Sequence, residues 1–438
     1  MNRRNFLGSL GVGMAASMVT AAHPAPARLS AADKVAVAVM GVRSRGKDLT
    51  GFFASLPDVD IPYLCDVDSN VVAPAVKIVE QAKGKTPRVV DDIRRVLEDP
   101  SVHAIVVATP VHWHAAATVL ACEAGKDVYV EKPISHNVRE GQIVVETAQR
   151  HRRIVQVGSQ SRSRPVTYRL IEYLQSGKIG PVHMAKVENT ELRPDLGRRP
   201  DEPVPPGLNY DLWVGPAPML PFNRNRFHRT YSWHWNYGAA EIGDNGSHWL
   251  DICRWALGVD FPKEVSGMGR KLHFTDDKQT PDTDHITYNY DNKVILWDER
   301  LWTPYGFQKS ENTMIFYGTE GMVEAGRWAG GKYAFRVFDT KGELVHYEQE
   351  ENEDMGILPH VRNFVDCIRT RQKPNADAET GHITATLCHL GNIVARTGRN
   401  LRFDGKTQTI VNDPEAARYL GREYRDHWSA RPFRKGGA

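Results

Sequence analysis

The chain has 438 residues, of which 41% are hydrophobic and 25% are charged, and its formal net charge at pH 7 is +3. This length suits two ordinary globular cores, and the small charge without a long basic run gives no support for a nucleic-acid partner. No segment repeats at a fixed period, so neither a solenoid nor a propeller is expected.

The N-terminus has the pattern of an export signal. Residues 2–7, NRRNFL, form a twin-arginine motif, and a weakly apolar stretch rich in glycine and alanine follows over residues 8–22. That stretch is too short and its side chains too small for a good membrane span. A disordered basic tail is the alternative interpretation. We predict a signal peptide and linker over residues 1–32, a periplasmic location and no membrane anchor.

The cysteines indicate a chain that folds in a reducing compartment. Their number is odd and their spacing shows no pairs, as expected for a protein that folds in the cytoplasm before export. We predict no disulfide among Cys65, Cys122, Cys253, Cys367 and Cys388.

A buried strand followed by a glycine loop begins the globular part. Residues 34–40, KVAVAVM, predict the strand, and GVRSRG follows over residues 41–46. The dinucleotide fingerprint G-x-G-x-x-G lets pyrophosphate approach the backbone at a helix N-terminus. The first and third glycines are present, and an arginine replaces the second. The residues expected to contact the cofactor are Gly41, Arg43, Ser44, Arg45 and Gly46.

An acidic residue follows the next predicted strand. The predicted strand over residues 61–65 is followed directly by Asp66, about twenty positions after the glycine loop. A carboxylate there would bind the ribose hydroxyls and repel a 2′-phosphate, which favours NAD over NADP. Arg43 and Arg45 argue the other way, since arginine can neutralise a phosphate, so NADP stays possible. The alternative for Asp66 is an ordinary turn residue at a strand end.

Residues 102–136 predict a strand, a helix and a second strand. Ligands bind at the carboxyl ends of such strands, so both strands bring polar residues to one crevice. A lysine held between a carboxylate and a proline is placed there to act on a substrate. A strand-end ion pair between Glu131 and Lys132 is the alternative. The polar strand ends are Thr109-Pro110 and Glu131-Lys132.

Several segments together resemble the Gfo/Idh/MocA family of NAD(P)-dependent sugar oxidoreductases, in particular its exported members similar to glucose–fructose oxidoreductase. They are the glycine loop, ATPVHWH (108–114), AGKDVYVEKPIS (124–135), QVGSQSRS (156–163), LWVGPAP (212–218) and GDNGSHWLDICRW (243–255). The resemblance implies an α/β protein with a Rossmann domain over residues 33–157. It also implies a C-terminal α/β domain over residues 158–438, with an open, mostly antiparallel sheet, and a homo-oligomer.

The resemblance extends the cofactor site beyond the glycine loop. It implies contacts to NAD from Thr109, Pro110, His112, His114, Glu131, Lys132 and Gln160. The alternation of His112 and His114 could also suggest a metal site. No third ligand with a fitting spacing is present in the sequence, so we expect no metal.

Three residues are predicted to carry the chemistry. Asp244 and His248 are four positions apart on a predicted helix, so their side chains point the same way. In the resembled family such a pair meets the lysine of the EKP element around the hydroxyl that is oxidised. We assign His248 as the base and Lys132 as the polarising group, although these roles can be exchanged. Asp244 would bind a neighbouring hydroxyl or hold His248. The alternative is a helix N-cap at Asp244 bonded to a structural histidine.

A cluster of aromatic residues suits a sugar site, because pyranose rings pack their C–H faces on aromatic side chains. Arg226 and His228 in FHRTYSWHWNYG are further candidates for contacts to hydroxyl or carboxylate groups. Core packing is the alternative for each tryptophan. The predicted substrate-binding residues are Arg162, Trp233, His234 and Trp235.

The second half shows the two-residue alternation of a sheet with one solvated or ligand-facing side. Between residues 193 and 222 the chain is dense in proline and glycine, which predicts a long irregular insertion near the site, or else a packed surface loop.

Export shapes the functional hypothesis, because a free NAD pool is not expected in the periplasm. We therefore predict an oxidoreductase that holds NAD tightly and returns the hydride to a second carbonyl compound. One alternative is a redox-neutral glycosidase. Such an enzyme transiently oxidises a ring hydroxyl, eliminates the glycosidic bond, adds water and then reduces the ketone. A non-catalytic NAD-binding protein is the other.

Overall fold

A computed structural model describes residue 30 and residues 33–306, 310, 312–328, 331–351 and 355–434. The predicted signal peptide and linker, residues 1–32, lie outside the described residues except for residue 30. Within the described chain, no helix is both long and apolar enough to cross a membrane.

The first domain is a parallel sheet with helices on both faces. Its strand order is β3-β2-β1-β4-β5-β6, so the order reverses between the neighbours β1 and β4, where α/β folds bind their ligands. The elements are β1 (Val35–Met40), α1 (Arg45–Ser55), β2 (Val59–Cys65), α2 (Ala73–Lys83), β3 (Arg88–Val90), α3 (Arg94–Leu97), β4 (Ala104–Val107), α4 (Val111–Glu123), β5 (Asp127–Val130), α5 (Val138–His151) and β6 (Val155–Val157).

The remaining elements build the second domain and a return to the first. They are α6 (Pro165–Gln175), β7 (Val182–Asn189), α7 (Tyr210–Val214), α8 (Ala240–Asp244), α9 (Gly246–Leu257), β8 (Glu264–Arg270), β9 (Thr283–Asn289), β10 (Val294–Arg300), β11 (Asn312–Gly318), β12 (Gly321–Gly326), β13 (Ala334–Asp339), β14 (Leu344–Gln349), α10 (Ile357–Thr370), α11 (Ala378–Thr397), β15 (Leu401–Asp404), β16 (Thr409–Ile410), α12 (Pro414–Ala417) and α13 (Arg431–Arg434).

The second sheet has the order β14-β13-β12-β11-β7-β10-β9-β8-β15-β16. Its pairings are antiparallel except that of β7 with β10, which is parallel. Alternate residues of β10 are buried, because α9 and α11 cover one face of the sheet. This confirms the expected α/β fold with a mostly antiparallel second sheet.

Helix α10 packs on the first domain although it follows the second sheet along the chain. The ring of Phe364 lies 6.2 Å from that of Phe53 and 5.8 Å from that of Tyr129. The guanidinium of Arg362 forms two bonds, of 2.7 and 3.0 Å, to the carboxylate of Asp58. Helix α10 therefore returns to the first domain after the second sheet.

The insertion between residues 193 and 222 is irregular apart from the short helix α7. It lies against the first domain, where the N–H of Asn209 donates to the carbonyl of Val67 over 2.8 Å. The insertion thereby reaches the carboxyl end of β2. All five cysteines of the chain are buried and free.

Candidate active site

A cavity of about 480 Å³ lies at the carboxyl ends of the parallel strands and is covered by residues of the second domain. It brings together most of the predicted cofactor residues and all three predicted catalytic ones. Those that line it are Gly41, Arg43, Ser44, Arg45, Asp66, Thr109, Pro110, His114, Glu131, Lys132, Gln160, Asp244 and His248.

The two glycines of the loop are required by close packing. Gly41 has φ +82°, and a Cβ there would lie 2.7 Å from the carbonyl oxygen of Ala108. A Cβ on Gly46 would lie 1.7 Å from the carbonyl oxygen of Gly41, so Gly46 supports the loop from outside the cavity lining. Ser44 precedes α1 and forms no side-chain cap, which leaves first-turn N–H groups for an anion. This cradle fits a dinucleotide pyrophosphate.

Asp66 braces the cradle. One carboxylate oxygen accepts the N–H of Val42 at 2.8 Å, and the other accepts the N–H of Asp68 at 2.9 Å. Burial raises the pKa of Asp66, while these two hydrogen bonds oppose the rise. The side chain lines the cavity, so it combines a structural contact with access to a ribose.

The two charges that follow β5 have different partners. Glu131 accepts a 2.8 Å bond from Nε of Arg45, whereas Lys132 binds Asp244. The alternative of a Glu131–Lys132 ion pair is therefore wrong. Lys132 is left to face the second domain.

Lys132 joins the two domains at the site. Its Nζ donates to the main-chain carbonyl of Asp244 over 2.9 Å and also binds the Oδ1 of Asp244. Burial raises the pKa of Asp244, but the Lys132 ammonium outweighs it and lowers that pKa to about 2. The Asp244 side chain is 39% exposed, because it faces the cavity. Asp244 ends α8, so the N-cap alternative is wrong.

His248 lies in the first turn of α9 and lines the same cavity. Burial, with the Lys132 charge as the next cause, holds its pKa well below the ordinary value. The ring is therefore uncharged at neutral pH. Its Nδ1 is buried without a hydrogen-bond partner among the described residues. A neutral imidazole keeps one unprotonated ring nitrogen, which can accept a proton from a substrate hydroxyl.

A buried network fixes the turn that carries Asp244. Glu241 binds the guanidinium of Arg193 at 2.6 and 3.1 Å and accepts from Nδ2 of Asn245 at 2.9 Å. Since Asn245 joins α8 to α9, this network sets the positions of Asp244 and His248 together.

The two histidines of the HWH segment have different positions. His114 lines the cavity, with Nδ1 2.7 Å from the Pro133 carbonyl and Nε2 2.8 Å from that of Thr109. His112 is buried outside the cavity lining, with Nε2 2.8 Å from the carbonyl of Trp213. Among the described residues no group of three or more His, Cys, Asp or Glu could hold a metal ion.

The predicted substrate-binding residues do not line the cavity, because each is used in packing. Arg162 forms bonds of 2.6 and 3.0 Å to Asp251 and lies 4.7 Å from the ring centroid of Trp255. Trp233 is 4% exposed. Nε2 of His234 lies 2.6 Å from the carbonyl of Asn225.

The fourth predicted substrate-binding residue, Trp235, and the further candidate Arg226 also pack away from the cavity. The Trp235 ring packs 4.7 Å from the guanidinium of Arg396. Arg226 is bonded to Asp201 at 2.7 Å.

Other residues of the same motif do reach the cavity: His228, Arg229 and Tyr231. His228 to Trp233 form a 3-10 helix, in which residues three apart lie on the same side. His228 and Tyr231 therefore share the cavity face. Burial, followed by the charge of Asp244, raises the pKa of Tyr231. Sequence reasoning identified the motif but missed Tyr231, whose three-residue spacing from His228 was the available signal.

The fold and the site define a dinucleotide-binding protein with a substrate domain. Residues 35–159 match the oxidoreductase family Gfo/Idh/MocA, NAD-binding Rossmann fold, and residues 196–430 match the C-terminal alpha/beta domain of the same family. The chain belongs to the Gfo/Idh/MocA oxidoreductase family, and NAD is its cofactor.

Three curated relatives are similar over parts of the chain. Levoglucosan dehydrogenase of Pseudarthrobacter phenanthrenivorans is 25% identical over 59% of this chain and 59% of its own length. The scyllo-inositol 2-dehydrogenase (NAD(+)) of Bacillus subtilis is 26% identical over 65% of this chain and 72% of its own. A glycosyl hydrolase family 109 protein of Shewanella pealeana is 26% identical over 34% of this chain and 37% of its own.

Solved structures share the fold. The aldose-aldose oxidoreductase of Caulobacter crescentus, complexed with glycerol, has a TM-score of 0.64 and 17% identity, covering 84% of this chain and 100% of its own.

Proposed function

We propose that the protein oxidises a hydroxyl group of a sugar or sugar derivative with NAD, retains the cofactor, and returns the hydride to a second carbonyl substrate. The observation that carries this proposal is the meeting of Lys132, Asp244 and His248 at one wall of the dinucleotide cavity. The names of the levoglucosan and inositol dehydrogenases support a cyclic polyol or sugar as the substrate class.

Lys132 and His248 have different roles in the proposed reaction. When bound, the nicotinamide supplies the hydride acceptor. The Lys132 ammonium, paired with Asp244, polarises the substrate oxygen and orients it. His248, neutral at neutral pH, accepts the hydroxyl proton as the C–H bond delivers its hydride and the carbonyl forms. In the return step the hydride is delivered to the carbonyl carbon of the second compound, and His248 gives that proton to its oxygen. Atoms and electrons balance over the two steps.

We further propose that the protein is exported through the twin-arginine pathway and works in the periplasm as a homo-oligomer. The sequence motif at Arg3-Arg4 supports export, and the absence of exchangeable NAD outside the cytoplasm would make a recycled cofactor necessary. Replacing both arginines by lysine keeps the charge but removes the motif. The variant is expected to stay in the cytoplasm, and periplasmic recovery equal to that of the unaltered protein would contradict export.

Steady-state kinetics with two substrates test the recycling. A panel of sugars and polyols is oxidised in the presence of a second aldose or ketose, and products are identified by chromatography. Parallel double-reciprocal lines and equal amounts of oxidised and reduced product are expected. A requirement for free NAD in stoichiometric amounts would contradict a retained cofactor.

The glycosidase is the second candidate, and the similarity to the glycosyl hydrolase family 109 protein is the observation in its favour. That similarity covers only 34% of this chain, which is less than either dehydrogenase match. The same reactions with aryl glycosides distinguish the two. Free aglycone without net oxidation would identify the glycosidase, and neither activity would indicate a non-catalytic binding protein.

A further inference from the structure

A segment of the second domain crosses the dinucleotide cavity and is attached to the first domain at two places. This strap, residues 204–215, contains α7. Its Leu212 and Trp213 line the cavity, and its Gly207 and Asn209 line an adjoining recess of about 370 Å³ at Asp66. A dinucleotide held in the glycine cradle would therefore lie beneath the strap.

The first attachment is to the turn after β2. The N–H of Ser69 donates to the carbonyl of Gly207 over 2.9 Å, and the N–H of Asn209 donates to that of Val67 over 2.8 Å. Asp68 and Leu208 form an antiparallel bridge between these bonds. The strap thus forms a single β-bridge close to Asp66.

The second attachment is to α4. Nε1 of Trp113 donates to the carbonyl of Leu212 over 2.9 Å, and Nε2 of His112 lies 2.8 Å from that of Trp213. Burial lowers the pKa of His112 to about 3, so the ring is neutral and carries one N–H. Of its two nitrogens, Nε2 lies nearer a carbonyl, at 2.8 Å from that of Trp213 against 3.3 Å between Nδ1 and that of Tyr237. Gly215 packs under Trp113, where a Cβ would lie 2.3 Å from the indole. His112 does not line the cavity, but its contact with the Trp213 carbonyl helps to hold the strap against α4.

The C-terminal segment holds this second attachment in place. Arg425 donates from Nε to the carbonyl of Gly215, from Nη1 to Oδ1 of Asp211 and from Nη2 to the carbonyl of Asp211, each over 2.6 Å. A cation at these carbonyls satisfies the C-terminal end of α7. The next residues return to the first domain, where the Trp428 ring lies 5.7 Å from that of Trp113.

We propose that Arg425 is a positioning residue that keeps the strap closed over the cofactor and so sets the rate at which NAD(H) leaves. This inference rests on the proposed retention of the cofactor and assigns it to one contact. Arg425 lies outside the cavity lining, so its removal leaves the catalytic residues unchanged. Release of a dinucleotide requires the strap to open, and each contact that favours the closed state slows release.

Release is measured on the full-length protein loaded with NADH. Excess NAD⁺ is added, and the loss of energy transfer from tryptophan to NADH is followed, a signal to which Trp113 and Trp213 at the cavity contribute. Arg425→Ala is expected to raise the release rate by about tenfold or more, because three charge-assisted hydrogen bonds are lost. Arg425→Lys should restore part of the retention. The matched control is Arg434→Ala, which breaks an ion pair with Asp426 inside the same tail.

Asp211→Ala tests the contact from the strap side if Arg425→Ala does not fold. Release from Arg425→Ala or Asp211→Ala at the unaltered rate would overturn the inference, as would an equal acceleration in Arg434→Ala. If the unaltered protein itself loses NADH within the mixing time, the proposed retention fails and the inference fails with it. If the unaltered protein retains NADH and neither Arg425→Ala nor Asp211→Ala changes the release rate, the role of Arg425 is refuted while the proposed retention stands.

Discussion

Lys132 and Asp244 form an ion pair that crosses between the two domains, and the same ammonium also binds the main-chain carbonyl of Asp244. The lysine follows β5 of the first domain, and the aspartate ends α8 of the second. The contact therefore positions the two proposed catalytic groups and joins the domains at the cavity.

Replacing Lys132 separates catalysis from cofactor binding. Lys132→Ala is expected to lower kcat by about a hundredfold or more, because the substrate oxygen loses its polarising charge. Binding of NADH, measured by fluorescence titration, should change little, since the glycine cradle and Asp66 are intact. Lys77→Ala, an exposed change on α2, is the control. Loss of NADH binding in Lys132→Ala would indicate a structural role instead.

The charge of Asp66 is expected to select NAD. Asp66→Asn keeps an oxygen that accepts the Val42 N–H but removes the charge that repels a 2′-phosphate. The ratio of the dissociation constants for NADP and NAD should therefore fall, by about tenfold for 1.4 kcal/mol of lost discrimination. Asp91→Asn in the adjoining recess is the comparison. An unchanged ratio in Asp66→Asn would contradict the assignment to the ribose.

Buried neutral histidines should make the fold sensitive to acid. Burial lowers the pKa of His360 to about 4 and that of His389 to about 3, against 6.5 in an unfolded chain. Below pH 6.5 the unfolded state takes up protons that the folded state does not, so stability is full above pH 6.5 and falls as the pH drops towards 4. One such residue contributes a slope of about 1.4 kcal/mol per pH unit.

Denaturant unfolding between pH 7.5 and 4.5 measures this slope. His360→Gln, whose amide can replace contacts to Ser163 and the Val157 carbonyl, should reduce the slope relative to the unaltered protein. The same slope in both proteins would show that His360 is not held neutral.

A buried carboxyl pair should act in the opposite direction. Asp284 and Glu299 face each other on β9 and β10. Burial, followed by the charge of Asp282, raises the pKa of Asp284 to about 8. The folded state then keeps a proton that the unfolded state releases above about pH 4, so this residue's contribution to stability is lost as the pH rises from 4 to 8.

Asp284→Asn is expected to remove that loss. Its Tm should exceed that of the unaltered protein by several degrees at pH 8 and by less at pH 5. Asp291→Asn, on an exposed turn, is the matched control. A lower Tm for Asp284→Asn at pH 8 would show that the carboxyl is ionised and bonded in the fold.

The sequence predicted the parallel sheet and its crevice because buried strands and their polar ends leave local patterns. Gly41, Asp66 and Lys132 follow strands directly, so strand prediction alone places them together. Asp244 and His248 came from a four-residue spacing and a family resemblance. The pairing of Glu131 with Arg45 and of Lys132 with Asp244 depends on distances between elements that no local pattern records.

The substrate face was less predictable. The aromatic composition of the motif predicted a sugar site at Trp233, His234 and Trp235. A 3-10 helix instead places His228 and Tyr231 at the cavity. Helix type within an irregular segment is set by tertiary contacts, which no local pattern records. The contact between the C-terminal segment and α7 could not be predicted from a local pattern either, because Arg425 lies 214 positions from Asp211 in the sequence.

The central claim is a retained cofactor that is reduced by one substrate and reoxidised by another. The most direct measurement is the absorbance near 340 nm of the protein purified without added nucleotide, under anaerobic addition of one sugar or polyol at a time and then of a ketose. We predict a bound dinucleotide whose absorbance rises with an oxidisable sugar and falls with the ketose, and no rise in Lys132→Ala. A protein that contains no dinucleotide and binds none when it is added would contradict the account.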